Sequence, residues 1–240
     1  MFYPVKTPWV FRKLYPSLVW EKPTEEKIIY LTFDDGPNPV VTPFVLEQLK
    51  QYNAKATFFC IGKNVSQHTD IYKKILDEGH KTGNHTYNHL NGLKTPDEAY
   101  LKNIFEAAKY IDSDLFRPPY GRITRFQAKL LQDVKSQWSM PNGEWSKKNE
   151  TETHHSPLTT HHTLLTSHLS PFTIVMWSVL SGDFDSKISP QRCLQNVILH
   201  GKPGSIILLH DSDKAWDRMS YALPKVLAHF SREGYQFKNI

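Results

Sequence analysis

The chain has 240 residues, 29 of them basic and 24 acidic, for a net charge of +5, with 39% hydrophobic and 12% aromatic residues. That balance excludes a globally disordered or collagen-like chain, and basic residues scattered without an arginine-rich stripe or nucleic-acid motif exclude a nucleic-acid partner. The length suits one well-buried domain, and no run of 18 apolar residues offers a transmembrane segment.

Residues 1–26 read as an arm packed on a domain that spans 27–240. Trp9, Val10, Phe11, Leu14, Tyr15, Leu18, Val19 and Trp20 are available to pack down, and Pro4, Pro8 and Pro16 interrupt any long helix. The same interruptions, with Arg12 and Lys13, leave no continuous apolar core of signal-peptide length. The expected location is therefore the cytoplasm, with association with the cell envelope as the alternative.

Lys27 to Phe33 reads as a buried strand ending abruptly at Asp34-Asp35-Gly36-Pro37. Two adjacent carboxylates repel one another and resist desolvation, so a fold retains them where a cation, hydrogen bonds or solvent offset the cost. Val41 to Tyr52 has helical spacing, with Pro43 in its first turn. A strand at Ala56 to Ile61, a helix at Thr69 to Gly79 and a short strand at Lys81 to His85 follow. Thr95-Pro96-Asp97-Glu98 has the spacing of a capping box and predicts a helix to about Ile111. Phe116 leaves another strand, and Ile123 to Val134 returns as a helix.

From Trp138 to Ser170, eleven of 33 residues are Ser or Thr and five are His, too polar for a core layer. This stretch is expected to be an exposed insertion, in which His154, His155, His161, His162 and His168 read as solvated and the Asn149 sequon as chance. The same holds for the sequon at Asn64. Phe172 to Leu180 then reads as one uninterrupted strand, Pro190 to His200 as a helix, Gly204 to Leu209 as a buried strand and Ala222 to Arg232 as the last helix. Cys60 and Cys193 sit in apolar surroundings and read as buried thiols. Apolar strands alternating with helices call for a parallel sheet covered by helices, and about seven units favour a closed or nearly closed barrel over an open sheet.

In such barrels the chemistry sits on loops leaving the C-terminal strand ends. Asp34-Asp35, His85 and His89, Arg117, Asp183 and His210-Asp211 all fall at such exits. His85 and His89 are neighbours if that loop continues as a helical turn. Two His plus a carboxylate, with Asp35 as candidate, form a familiar set for a divalent metal.

Thr-Phe-Asp-Asp-Gly-Pro at 32–37, Asn-His-Thr-Tyr-Asn-His at 84–89, Arg-Pro-Pro-Tyr-Gly at 117–121 and Leu-Leu-His-Asp at 208–211 resemble the ordered motifs of the polysaccharide deacetylases, carbohydrate esterase family 4, which share the homology domain of the nodulation-type chitooligosaccharide deacetylases. The resemblance covers about residues 27–238, apart from the polar insertion. It implies a distorted (β/α) barrel and hydrolysis of N-acetyl groups on an acetylated glycan such as peptidoglycan or a chitin oligomer. By the same resemblance, Asp34 is the general base, while Asp35, His85 and His89 hold a divalent metal, zinc before cobalt, nickel or manganese. Arg117 pairs with Asp34, the Tyr120 N–H holds the oxyanion, His210 is the general acid and Leu208, with Pro119 and Tyr120, lines the substrate pocket. One motif departs: where the family often shows Asp-X-X-Asp-Trp, this chain has Leu180-Ser181-Gly182-Asp183-Phe184. Asp183 stands where a partner for His210 is expected, but the changed pocket wall leaves the glycan open. The rival readings are an O-acetyl esterase acting on a xylan-type polymer, a non-catalytic glycan-binding relative and a hydrolase of small amides.

Overall fold

The computed structural model describes residues 3–133 and 172–240, together with two short strands between them. The strands are β1 (Ile28–Asp34), β2 (Ala56–Cys60), β3 (Lys81–Asn84), β4 (Leu115–Phe116), β5 (Trp138–Ser139), β6 (Ser146–Lys147), β7 (Thr173–Ile174), β8 (Val179–Leu180), β9 (Ile206–His210) and β10 (Gln236–Phe237). The helices are α1 (Trp9–Leu14), α2 (Val41–Gln51), α3 (Gly62–Gln67), α4 (Thr69–Asp77), α5 (Asp97–Ala108), α6 (Arg125–Gln132), α7 (Pro190–Ile198) and α8 (Trp216–Arg232). One parallel sheet runs β7-β4-β3-β2-β1-β9-β8, with β10 added at the start of β1. Helices surround this curled sheet, a distorted (β/α) barrel. No helix among the described residues is long and apolar enough to cross a membrane.

Every residue of β1 is buried because the strand is covered on both faces. Its two-residue period separates two environments. Ile29, Leu31 and Phe33 face outward, packing with Ile207 and Leu209 of β9, with Val45 and Leu46 of α2, and with Leu223 and Val226 of α8. Ile28 and Tyr30 instead join Phe59, Leu115, Val175 and Ile206 inside the curl. Continuing that inner row brings Thr32 and Asp34 toward the barrel's interior and its rim. Phe33 is fully buried, and its truncation to Ala would cost about 3–5 kcal/mol.

The segment expected as one strand at 172–180 divides. Val175 N–H donates to Phe116 O on one side of the break (2.8 Å), and Ser178 N–H donates to Ile206 O on the other (3.0 Å). The two ends of the sheet thus come from consecutive stretches of chain, and the bend between them curls the sheet. The N-terminal arm straps this seam: Val19 N–H donates to Ile174 O, Met176 N–H to Val19 O, Thr7 N–H to Ser178 O and Leu180 N–H to Val5 O. Leu18 is buried, but α1 buries none of its residues and leaves Trp9 67% exposed. The arm is held through its backbone and through side chains outside α1, among them Tyr3, Thr7, Tyr15, Leu18 and Trp20, rather than through the apolar residues of α1.

Helix ends also depart from local expectation. Thr95 does not cap α5, whose N-cap is Pro96 without a side-chain bond; its hydroxyl donates to Asn91 O instead. The capping box is at α6, where Thr124 and Gln127 exchange side-chain-to-backbone hydrogen bonds. α3 was not foreseen, and α8 begins at Trp216, six residues before the expected start. Gly79 does end α4's turn, with φ of +77°. Both Cys60 and Cys193 are free and buried. The 138–170 stretch, with its five histidines and the Asn149 sequon, lies outside the described residues except for the antiparallel pairing of β5 with β6.

Candidate active site

Parallel register assembles the site at one rim. Asp34 closes β1 directly beside His210, which closes β9. His85 is the first residue past β3, Arg117 the first past β4, and Asp183 follows β8. The strand ends therefore bring together the charged residues that the sequence separates.

Arg117 is fully buried, a placement that requires a complete set of partners. Its Nη1 donates to Asp34 Oδ1 (2.7 Å) and to Thr32 Oγ1 (2.7 Å). Nε donates to Val175 O (3.0 Å), and Nη2 to Met176 O (2.8 Å). The guanidinium also lies over the Phe59 ring, 4.0 Å from its centre. Burial pulls the Arg117 pKa down, against the opposing attraction of Asp34. Asp34 thus has one oxygen fixed by the arginine, while its Oδ2 faces His85 Nε2 at 3.8 Å.

Asp35 meets different neighbours. Its Oδ1 lies 3.2 Å from His89 Nε2 and 3.8 Å from His85 Nε2, yet this buried oxygen has no hydrogen bond of good geometry. The ligand atoms of Asp35, His85 and His89 all lie within 4.8 Å of one another. His85 Nδ1 is engaged with Arg117 O at 2.7 Å, which turns Nε2 toward the carboxylates. Burial pushes the His85 pKa down to about 4, so the ring is neutral and has a lone pair to give. Burial alone would raise the Asp35 carboxyl, but His89, His210 and His85 outweigh it and hold the group well below its usual range. A buried, under-bonded carboxylate oxygen facing two imidazole nitrogens fits a divalent cation.

The loop that carries the histidines is not a helical turn. Thr86 and His89 have φ of +63° and +57°, so the two rings, 5.1 Å apart, converge across a folded-back loop. Asn84 Oδ1 accepts Thr86 N–H, and Asn103 Oδ1 accepts the N–H groups of Tyr87 and Asn88. Asp35 (φ +85°) and Tyr120 (φ +60°) share the left-handed conformation. Four such non-glycine residues at one rim store roughly 1–3 kcal/mol each.

Opposite the histidines, His210 Nδ1 pairs with Asp183 Oδ1 (2.7 Å), and its backbone N–H donates to Asp183 Oδ2 (2.7 Å). Burial alone would lower the imidazolium's pKa; Asp183, with Asp35 and Asp34 beyond it, overrides this and raises it to about 9. Arg218 Nε anchors the turn through Asp183 O (2.6 Å). The exposed Tyr120 ring stands edge-on to His89 at 4.6 Å. Leu208 and Pro119 are both buried.

A family model described as polysaccharide deacetylase matches residues 21–139. The peptidoglycan-N-acetylglucosamine deacetylase of Bacillus cereus is 32% identical over 237 residues, covering 95% of this chain and 94% of its own length. This chain belongs to the polysaccharide deacetylase family. Among the deacetylases it resembles, a chitooligosaccharide deacetylase of Azorhizobium caulinodans is 32% identical over 79% of this chain and 78% of its own length. The crystal structure of a peptidoglycan N-acetylglucosamine deacetylase superposes with a TM-score of 0.76 at 29% identity, covering 98% of this chain and 95% of that one.

In this deacetylase, local sequence reading missed Thr32, Asn64, Thr42 and the role of Asp211. Asn64 donates its side-chain amide to Asp35 O (2.7 Å), so that the apparent sequon residue serves the site. Asp211 is fully buried and accepts from Thr42 Oγ1 (2.5 Å) and from Gly36 N–H (3.0 Å). Burial raises its pKa to about 8, against those hydrogen bonds. A side chain on Gly36 would collide with this carboxylate. Asp211's place beside His210 was a signal, but its partners lie some 170 positions away, beyond any local pattern.

Proposed function

We propose that this chain removes acetyl groups from N-acetylated sugars of peptidoglycan or a chitin-type oligomer, with zinc as its resident metal. The observation that carries this reading is the division between two adjacent carboxylates: Asp34 is paired with Arg117, whereas Asp35 faces His85 and His89. Relatives of matching length named for peptidoglycan and chitooligosaccharide deacetylation support the substrate class.

A divalent ion held by Asp35, His85 and His89 supplies, when bound, Lewis acidity toward the acetyl carbonyl and a lower pKa for water. Asp34 is the base that takes the proton from the attacking water. Arg117 fixes Oδ1, so that Oδ2 is the accepting atom. The Tyr120 N–H steadies the negative oxygen that develops on the substrate. His210, held at Nδ1 by Asp183, donates a proton from Nε2 to the departing nitrogen. A water oxygen bonds to the carbonyl carbon, the C–N bond breaks, and acetate and a free amine result. Leu208 and Pro119 offer the acetyl methyl an apolar wall. Two imidazoles and one carboxylate suit zinc.

The test is acetate release by the zinc-loaded protein from peptidoglycan, chitin oligomers and acetylxylan in parallel. Release from either N-acetylated glycan, stopped by a chelator, is the expected result. Release from acetylxylan alone would make the protein an esterase, and glycan binding without release would make it a non-catalytic relative.

A further inference from the structure

The turn that carries Asp183 is held from outside by the N-terminal arm. Leu180 N–H donates to Val5 O (2.8 Å) and Thr7 N–H to Ser178 O (3.0 Å), so residues 5–7 extend the sheet along β8. This brings Tyr3 over Gly182-Asp183-Phe184-Asp185. The Tyr3 hydroxyl donates to Asp185 Oδ2 at 3.0 Å. Its ring lies 5.1 Å from the Phe184 ring, and Phe184 in turn stands edge-on to His210 at 5.4 Å. A Cβ on Gly182 would come within 2.9 Å of the Tyr3 hydroxyl, so the arm closes directly onto the turn's backbone. Asp185 is in turn tied to the turn: its Oδ1 accepts Lys187 N–H at 3.0 Å, and its N–H donates to Gly182 O at 2.9 Å.

We infer that Tyr3 is a positioning residue for the acid half of the site, holding the Asp183–Phe184 turn against His210 from the strap across the barrel seam. Tyr3 touches neither the reacting atoms nor the three residues that face the metal. Its effect runs through a ring-to-ring contact and one hydrogen bond to the turn, so it acts on proton delivery and leaves metal binding alone. The ring fills the space behind Phe184, and the hydroxyl fixes the far end of the turn. The ring is the larger contribution, because an aromatic pair constrains Phe184 directly.

This inference rests on the assigned role of His210, and its test separates the two. Full-length protein labelled with ¹⁵N-histidine gives a low-field Nδ1–H signal for His210, assigned by its absence in His210→Gln. In Tyr3→Ala this signal is expected to broaden through exchange with water, kcat for acetate release to fall at least tenfold, and KM and bound zinc per chain to stay unchanged. Tyr3→Phe keeps the ring and is expected to retain the signal and lose less than threefold in kcat. An unchanged signal in Tyr3→Ala, whatever its kcat, would overturn the inference, as would equal losses in Tyr3→Phe and Tyr3→Ala. If the wild type releases no acetate while the signal still broadens in Tyr3→Ala, the functional reading fails and the positioning role stands.

Discussion

The two sides of the rim are built to different degrees of completion, although their central residues, Asp34 and Asp35, are adjacent in the chain. On the arginine side, Arg117 has four hydrogen bonds and an aromatic face beneath it, and Asp34 Oδ1 is satisfied. On the histidine side, a buried oxygen of Asp35 has no good hydrogen bond and two imidazoles converge on it through strained backbone. In the proposed function, the finished side serves folding and orientation, and the unfinished side takes the ion and the substrate.

If the arginine side is structural as well as catalytic, removing its cation should harm folding first. Arg117→Ala leaves Asp34 buried without its partner and should destabilise the protein by about 3–5 kcal/mol in denaturant melts. Arg117→Lys restores the charge but not the fork of donors, and should recover less than half of that loss. A melt within about 0.5 kcal/mol of wild type for Arg117→Ala would erase the distinction between the sides.

The histidine side should respond to metal instead. Zinc at 100 times its Kd should stabilise the wild type by about 2.7 kcal/mol. This gain, measured against each variant's own apoprotein melt, should vanish in His85→Ala and His89→Ala; His85→Ala, which empties a buried site, should also melt lower without metal. An equal zinc shift in those variants would remove them from the metal site.

A smaller effect concerns His210, the proposed acid, opposite both sides. Because Asp183 raises the His210 pKa above its ordinary 6.5, the ring stays protonated through neutrality, and activity should fall on an alkaline limb above neutral pH. The stability from its pairing with Asp183 is fully present below about 6.5 and is lost as pH rises through about 9. Asp183→Asn removes the charge that raises the pKa, so the alkaline limb should move to lower pH in kcat profiles. A limb that does not move would detach Asp183 from this role.

Far from the rim, the two capping motifs offer the mildest contrast. Thr124→Ala should cost about 1 kcal/mol, a typical loss for a cap, whereas Thr95→Ala should stay within about 0.5 kcal/mol, as for a surface change.

That last pair shows what the sequence could and could not reveal. Thr95-Pro96-Asp97-Glu98 has the right spacing but does not cap a helix, while Thr124 and Gln127 do. A four-residue pattern states what is feasible locally, and packing decides whether it is used. β1 was legible because a strand buried on both faces is apolar throughout. The 172–180 segment was misread for the same reason: apolar residues mark burial, and nothing in them marks a bend from one end of the sheet to the other. At the site, the titratable residues at strand ends were legible because charge in an apolar context is conspicuous. The supports Thr32, Asn64, Thr42 and Asp211 were not, because their partners lie 29 to 175 positions away and are fixed only by how the strands and the helices that follow them pack. Nor could spacing show that His85 and His89 meet through left-handed backbone rather than a helical turn.

The division of duties between the two aspartates is tested most directly by measuring bound zinc and acetate release together in Asp34→Asn and Asp35→Asn. Asp34→Asn should keep one zinc per chain and lose at least a thousandfold in kcat. Asp35→Asn should lose the zinc and, with it, the activity. Loss of zinc from Asp34→Asn alone, or wild-type turnover in either variant, would contradict the account.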